Sequence, residues 1–177
     1  MIIAGSNPKG LDYKLYELQT VIDNVINNQI DKRFNWAGIV NIYGRVHKTV
    51  RDDKTYPEVY LGGGEYKDPF IDDTVTASMG FVVNSETLVN WTTSADIDLI
   101  VTANAFDLFG DTNRNMPKAQ MTIYKAIQAY CLSLGTIKEG ITDVFKSFSG
   151  GKIYQPSDLS QWIVFSLNFK ISFNNKI

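Results

Sequence analysis

One cysteine and one histidine occur in 177 residues, and each scarcity closes a class of chemistry. A lone cysteine excludes an internal disulfide. Cys131 falls among the apolar positions of an expected helix, where a buried, unreactive thiol is the ordinary expectation and suits a reducing compartment. A lone histidine, His47, excludes any metal site built on two imidazoles and leaves a Ser-His-Asp arrangement resting on that one residue. Near Arg45 and Lys48 on the mixed face of a strand, it reads as a solvated or interface side chain. Positive charge is not in excess either: 17 Lys and Arg stand against 19 Asp and Glu, a formal net charge of -2. A dedicated nucleic-acid binder is therefore disfavoured, although transient passage of DNA along a surface is compatible with this balance.

No apolar run approaches the roughly 20 residues needed to span a bilayer. The opening Met1–Asn7 has neither a charged leader nor a sustained apolar stretch, so the expectation is a protein made and kept in a cytoplasm, or assembled there into something larger, with no membrane partner. No low-complexity tract or internal repeat breaks the chain. What is present is apolar content, at 44%, enough for one domain over residues 1–177 with a full core.

The clearest pattern is the last one. Ile163, Phe165, Leu167, Phe169, Ile171 and Phe173 alternate with Val164, Ser166, Asn168, Lys170 and Ser172, the period of a half-buried strand about 35 Å long. Its apolar face needs a platform of helices. Leu11, Leu15, Leu18, Ile22 and Val25 predict one over Leu11–Asn28, opened by Asn7-Pro8 or Asp12. Ile123, Ile127, Cys131 and Leu134 predict a second over Met116–Leu134, with Gly135 as its stop. Ile141, Val144, Phe145 and Phe148 predict a shorter amphipathic piece.

Between the helices lie strands. Trp36, Val40, Ile42 and Val46 mark one face of the first, and Tyr56–Leu61 forms the next, entered through Arg51-Asp52-Asp53-Lys54 and closed by Gly62-Gly63-Gly64. Met79, Phe81 and Val83 alternate in another, Leu88–Trp91 suits a short further one, and Ile97, Leu99, Val101 and Ala103 mark a strand whose opposite face begins with Asp96 and Asp98. This order predicts an α+β domain, an antiparallel or mixed β-sheet with helices packed on one face, and long loops near residues 62–73 and 104–116.

Candidate chemistry is thin. Asp96 and Asp98 point the same way and could present two carboxylates to Mg²⁺ in a hydrolase or nuclease, but no third ligand is fixed; the plainer reading is a solvated strand end. Asp52-Asp53 read as turn residues, and Asp72-Asp73 reach the pair only if their loop folds back. Gly62-Gly63-Gly64 lacks the Lys-Ser/Thr sequel of a phosphate loop and reads as a hairpin tip or hinge. Tyr56, Tyr60, Tyr66, Phe70 and Trp91 could serve a carbohydrate- or protein-binding module, or could pack on the domain's own sheet. No cofactor and no catalytic centre is expected.

The block Ile97–Asn104, the helix Met116–Leu134 behind a loop, the late strand Trp162–Phe173 and the leading helix Leu11–Asn28 resemble the tail-terminator and head–tail connector proteins of tailed bacteriophages, and most narrowly the neck ring proteins of crAss-like phages. That resemblance implies a tail-terminator-like fold and a structural virion protein. Copies would close into a ring in the neck or tail, join the portal to other neck or tail proteins, and line a channel that genome DNA crosses. A mildly acidic lining would let DNA pass. On this reading the subunit contacts fall on the loops Gly62–Asp73 and Phe106–Asn115, through Tyr66, Phe70, Phe106, Leu108 and Phe109. Phe70 is the expected anchor because Pro69 stiffens its approach, and replacement of residues 63–70 by a Gly-Ser linker is expected to leave the domain folded.

Overall fold

The computed structural model describes residues 1–4, 7–27, 36–62, 64–109, 116–131, 133–151 and 161–174. In chain order these form β1 (Ile2–Ile3), α1 (Leu11–Ile26), β2 (Val40–Arg51), β3 (Lys54–Gly62), β4 (Glu65–Lys67), β5 (Ala77–Val89), β6 (Thr92–Asn104), α2 (Ala105–Phe109), α3 (Met116–Ile127), β7 (Ser133–Glu139), α4 (Ile141–Val144) and β8 (Trp162–Asn174). The result is a mixed α+β fold, as the element order predicts. One sheet runs β4-β3-β2-β5-β6-β8-β7, with β1 added beside β2. Among the described strands β1–β2 and β2–β5 pair in parallel, and the remaining neighbours are antiparallel.

The alternation of β8 does what its period requires. Ile163, Phe165, Leu167, Phe169 and Ile171 are buried beneath α1 and α3, together with Leu15, Leu18, Ile22, Ile123 and Ile127 from the helices. The partner strands supply Met79 and Phe81 from β5, and Ile97, Leu99 and Val101 from β6. Helix α1 begins after Gly10 (φ 56°) with no side-chain cap, from Asn7 or any other residue, and Asp12 in its first turn holds Arg45 at 2.8 Å. Gln19, almost wholly buried, donates from Nε2 to the carbonyls of Ile42 (2.7 Å) and Ile3 (3.1 Å). One side chain thereby ties the helix to two strands.

A bulge in β2 changes which residues share a face. Ile42 pairs with Met79, but Arg45 pairs with Phe81, so β2 spends three residues where β5 spends two. Parity reverses there. Val40 and Ile42 face the helices, whereas Tyr43 and Val46 face the other way, so the expectation that Val46 shares a face with Val40 and Ile42 is corrected.

That other face carries a second core. Tyr43, Val46, Val59, Val82, Ile100, Trp162 and Val164 on the sheet are covered by Phe70, Ile71, Val144, Phe145 and Phe148. The two long helices share one face as expected, while α4 and the segment around Phe70 close the opposite one. Phe70 meets Phe145 edge-on with centroids 5.2 Å apart.

The second long helix is shorter than its apolar spacing suggests. It stops at Ile127, and Ser133–Glu139 forms an edge strand on β8, with Leu134 opposite Phe169 and Ile137 opposite Leu167. Cys131 and Leu134 satisfy helical spacing by coincidence, and the open edge of β8 takes the segment because its backbone groups need partners. Gly135 is thus a strand residue and no helix stop. A Cβ there would lie 2.5 Å from Oδ1 of Asn168.

The segment leading into β5 is clamped by Asp72, a carboxylate nearly without solvent contact. Its Oδ2 accepts from Lys67 Nζ at 2.5 Å and its Oδ1 from the amide and hydroxyl of Thr74 at 3.1 and 2.6 Å. Burial works to raise the Asp72 pKa, but the Lys67 and Thr74 hydrogen bonds outweigh it and leave about 2 against an ordinary 3.8. Because the folded value is depressed, this clamp stabilises fully above about pH 4 and is lost as pH falls through 2. Asp72→Asn is expected to cost about 2 kcal/mol at neutral pH and to remove that part of the acid dependence, as read from urea unfolding at pH 7 and pH 3.

Candidate functional site

The residues that could carry chemistry are held apart or already occupied. Asp96 and Asp98 do share a face, but one amide spans them: Asn168 Nδ2 donates to Asp96 Oδ1 at 2.7 Å and to Asp98 Oδ1 at 2.9 Å. Lys138 Nζ stands 3.9 Å from the remaining oxygen of Asp98. Among the described residues no group of three or more His, Cys, Asp or Glu side chains is placed to hold a metal. Asp52 and Asp53 form the two-residue turn between β2 and β3, both with positive φ (48° and 58°), and Asp72 is engaged in its clamp with Lys67 and Thr74.

His47 is exposed and lines an open cleft of about 410 Å³ with Lys9, Asp12, Arg45 and Tyr60. Of its cations, Arg45 is spoken for, since it reaches both Asp12 and Glu86, at 2.8 and 3.6 Å. Cys131 lies just past α3, half-buried against the helix-side core, and burial pushes its thiol up to about 12. A thiol so placed stays protonated and unreactive. No helix of the described residues is long and apolar enough to cross a membrane.

The aromatic residues separate into two groups. Tyr60 and Tyr66 stand exposed on facing strands of the β3–β4 hairpin, rings 5.3 Å apart, around a tip whose Gly64 has φ 84° and whose Gly63 lies outside the described residues. Tyr56 is half-buried under the guanidinium of Arg51, 4.8 Å from its ring centre. Phe70, by contrast, is 0% exposed. It is a core residue, and the expectation that it anchors a neighbouring subunit is corrected, as is the expectation that residues 63–70 could be exchanged for a linker without loss of the fold. The turn into Ile71, at φ 51°, drives both side chains inward.

The second expected loop divides in the same manner. Asn104 Oδ1 accepts from the amides of Phe106 and Asp107 at 3.1 and 3.3 Å, opening α2. From that helix Leu108 points into the core and is buried, Phe109 is half-buried with Lys118 Nζ 5.2 Å from its ring centre, and Phe106 stands exposed. The expected contact role of Leu108 is therefore corrected too. Residues 110–115 of that loop lie outside the described residues.

A further exposed apolar group lies outside the two loops expected to make subunit contacts, and of its members Trp91 alone is among the aromatics read as candidates for a binding module. Leu88–Trp91, read from sequence as a separate short strand, is the end of a long hairpin in which β5 and β6 pair from Ala77↔Ala103 out to Val89↔Thr92. Its tip shows Leu88 at 63%, Val89 at 64% and Trp91 at 69% exposure. The turn residues Asn90 and Trp91 have φ of 49° and 67°, the pair of positive values of a type I′ turn, whose usual sequence is Asn-Gly. A tryptophan in the left-handed region costs about 1–3 kcal/mol and its exposure gains nothing in the isolated chain. Asn90 supplies the first half of that signal, but Trp91 stands where glycine is usual, which is why the sequence concealed the hairpin.

Trp91→Gly is expected to raise the stability of the domain by about 1 kcal/mol, the released strain less the entropy of the added glycine, as measured by urea unfolding. An unchanged or lowered stability would show that the tryptophan packs where it stands.

No protein-family model matches the chain, and no curated protein matches it.

Proposed function

We propose that this protein is a structural subunit that works by assembling with copies of itself, and that the assembly is the ring implied by the sequence resemblance: a virion component in the neck or tail of a tailed phage, between the portal and the tail, around the path of the genome. The observation that carries the reading is the β5–β6 tip, where Leu88, Val89 and a strained Trp91 stand in solvent. Contiguous exposed apolar groups mark association surfaces. Tyr66 and Phe106 are kept as contact residues, and Phe109 as a partial one.

The rest of the molecule supports a frame. Two apolar cores lock the sheet from both sides, the paired carboxylates are bridged by an amide, and the net charge of -2 offers phosphate no strong hold. Assembly in a host cytoplasm and residence in a virion follow from the same reading.

Mass photometry and electron micrographs of the purified protein test it. Closed particles of a fixed copy number, without Mg²⁺-dependent nuclease activity, are the expected result. A monomer at every concentration, in the presence of neck and portal partners as well, would overturn it.

A further inference from the structure

An uncharged cleft lies on the opposite flank of β2 from the hairpin. It has a volume of about 480 Å³ and is lined by Ile2, Ala4, Asn7, Pro8, Tyr13 and Tyr16. β1, which carries Ile2, pairs with one edge of β2, while β5 pairs with the other. The two tyrosines stand a turn apart on the outer side of α1, both exposed. From this arrangement we infer that Trp91 of one copy seats in the Pro8–Tyr13–Tyr16 cleft of the next, an inference that rests on the ring reading above and names its contact.

Three observations favour a second copy as the occupant. The first is polarity. The tip runs Thr87-Leu88-Val89-Asn90-Trp91-Thr92-Thr93-Ser94 with no charge, and the described residues that line the cleft are likewise uncharged, in a chain of which 20% is charged. An uncharged knob meets an uncharged lining, and the nearby Lys14, whose Nζ lies 5.7 Å from the Tyr13 ring centre, already has Glu17 as its counter-ion at 2.7 Å. The second is size and surface chemistry: an indole fits such a volume, and proline and tyrosine faces suit it. The third is connectivity. The hairpin continues the sheet by unbroken antiparallel pairing to β8 as far as Thr92↔Asn174, so the tip cannot fold back across β2 to its own cleft.

A knob on one flank and a cleft on the other form a heterologous contact, which closes into a ring when the rotation permits. Trp91 alone buries about 150–250 Å², short of the roughly 800 Å² per partner of a standard interface. Leu88, Val89 and the outer side of α1 supply part of the difference.

A mixing experiment decides the matter. Trp91→Ala keeps the cleft and loses the knob; Tyr16→Glu keeps the knob and places a charge in the cleft, with Pro8→Arg as a second cleft variant should the first fail to fold by circular dichroism. Each alone is expected to reduce the assembled fraction at least tenfold in mass photometry. Mixed one to one, they retain a single competent contact and are expected to give heterodimers and nothing larger. If Trp91→Ala assembles like the wild type, or the mixture stays monomeric, the contact is wrong while the ring reading stands. If the wild type itself never assembles, the ring reading fails and takes this contact with it.

Discussion

Phe169→Ala is expected to lower the free energy of unfolding by about 3–5 kcal/mol, measured by urea titration at neutral pH. Phe169 is 0% exposed, lies between Leu134 of β7 and Ile97 of β6 along the sheet, and meets Phe81 edge-on with centroids 6.3 Å apart. Helices α1 and α3 close the space above it. The void left by a lost ring cannot collapse cheaply, because the three strands are fixed by their backbone ladder. A domain of this size has about 5–15 kcal/mol in total, so this one truncation removes a large share. A loss under about 1 kcal/mol would mean that the helices do not pack on β8 as described.

Phe70→Ala is expected to cost a comparable amount, about 3–5 kcal/mol, and to do so in the isolated subunit. The ring holds the second core together by touching Phe145, and its backbone amide is anchored on Asp68 Oδ1 at 3.0 Å. A subunit contact and a core contact predict different results for this variant. Were Phe70 an interface residue, the free protein would unfold at its normal urea midpoint and only assembly would suffer. With the ring buried within the chain, the midpoint drops in the free protein.

The two fates of apolar loop residues explain much of what the sequence could and could not convey. Phe70, Leu108 and Phe106 all sit in polar connections, and nothing in their immediate neighbours distinguishes a side chain that turns inward from one that stays in solvent. The distinguishing feature was backbone direction: Ile71 at φ 51° and the first turn of α2 behind Asn104. The last strand was legible because period two with one face buried admits no other solution. The same rule misled at β2, where the bulge between Ile42 and Arg45 moved Val46 to the other face, and the second core was therefore hidden among residues that read as a mixed surface. At Leu134, spacing of three and four residues continued past the true helix end, and only the need of β8 for an edge partner settles the conformation. The exposed tip was hard to read for a different reason: Trp91 stood out as an aromatic, but its exposure leaves no trace in periodicity, and its turn carries Asn90 without the glycine that usually follows.

The β5–β6 hairpin also has a mechanical character. From its solvent-exposed end back to the helix-covered end of the sheet, β6 is bonded to β5 on one side and to β8 on the other over nearly its whole length. Backbone hydrogen bonds of antiparallel neighbours lie across the strand direction. A pull on the tip along the strands therefore loads many bonds at once in shear and does not peel them one after another. A subunit gripped there by its neighbour would bear tension through the full depth of its sheet, as a tenon bears it through the length of a joint.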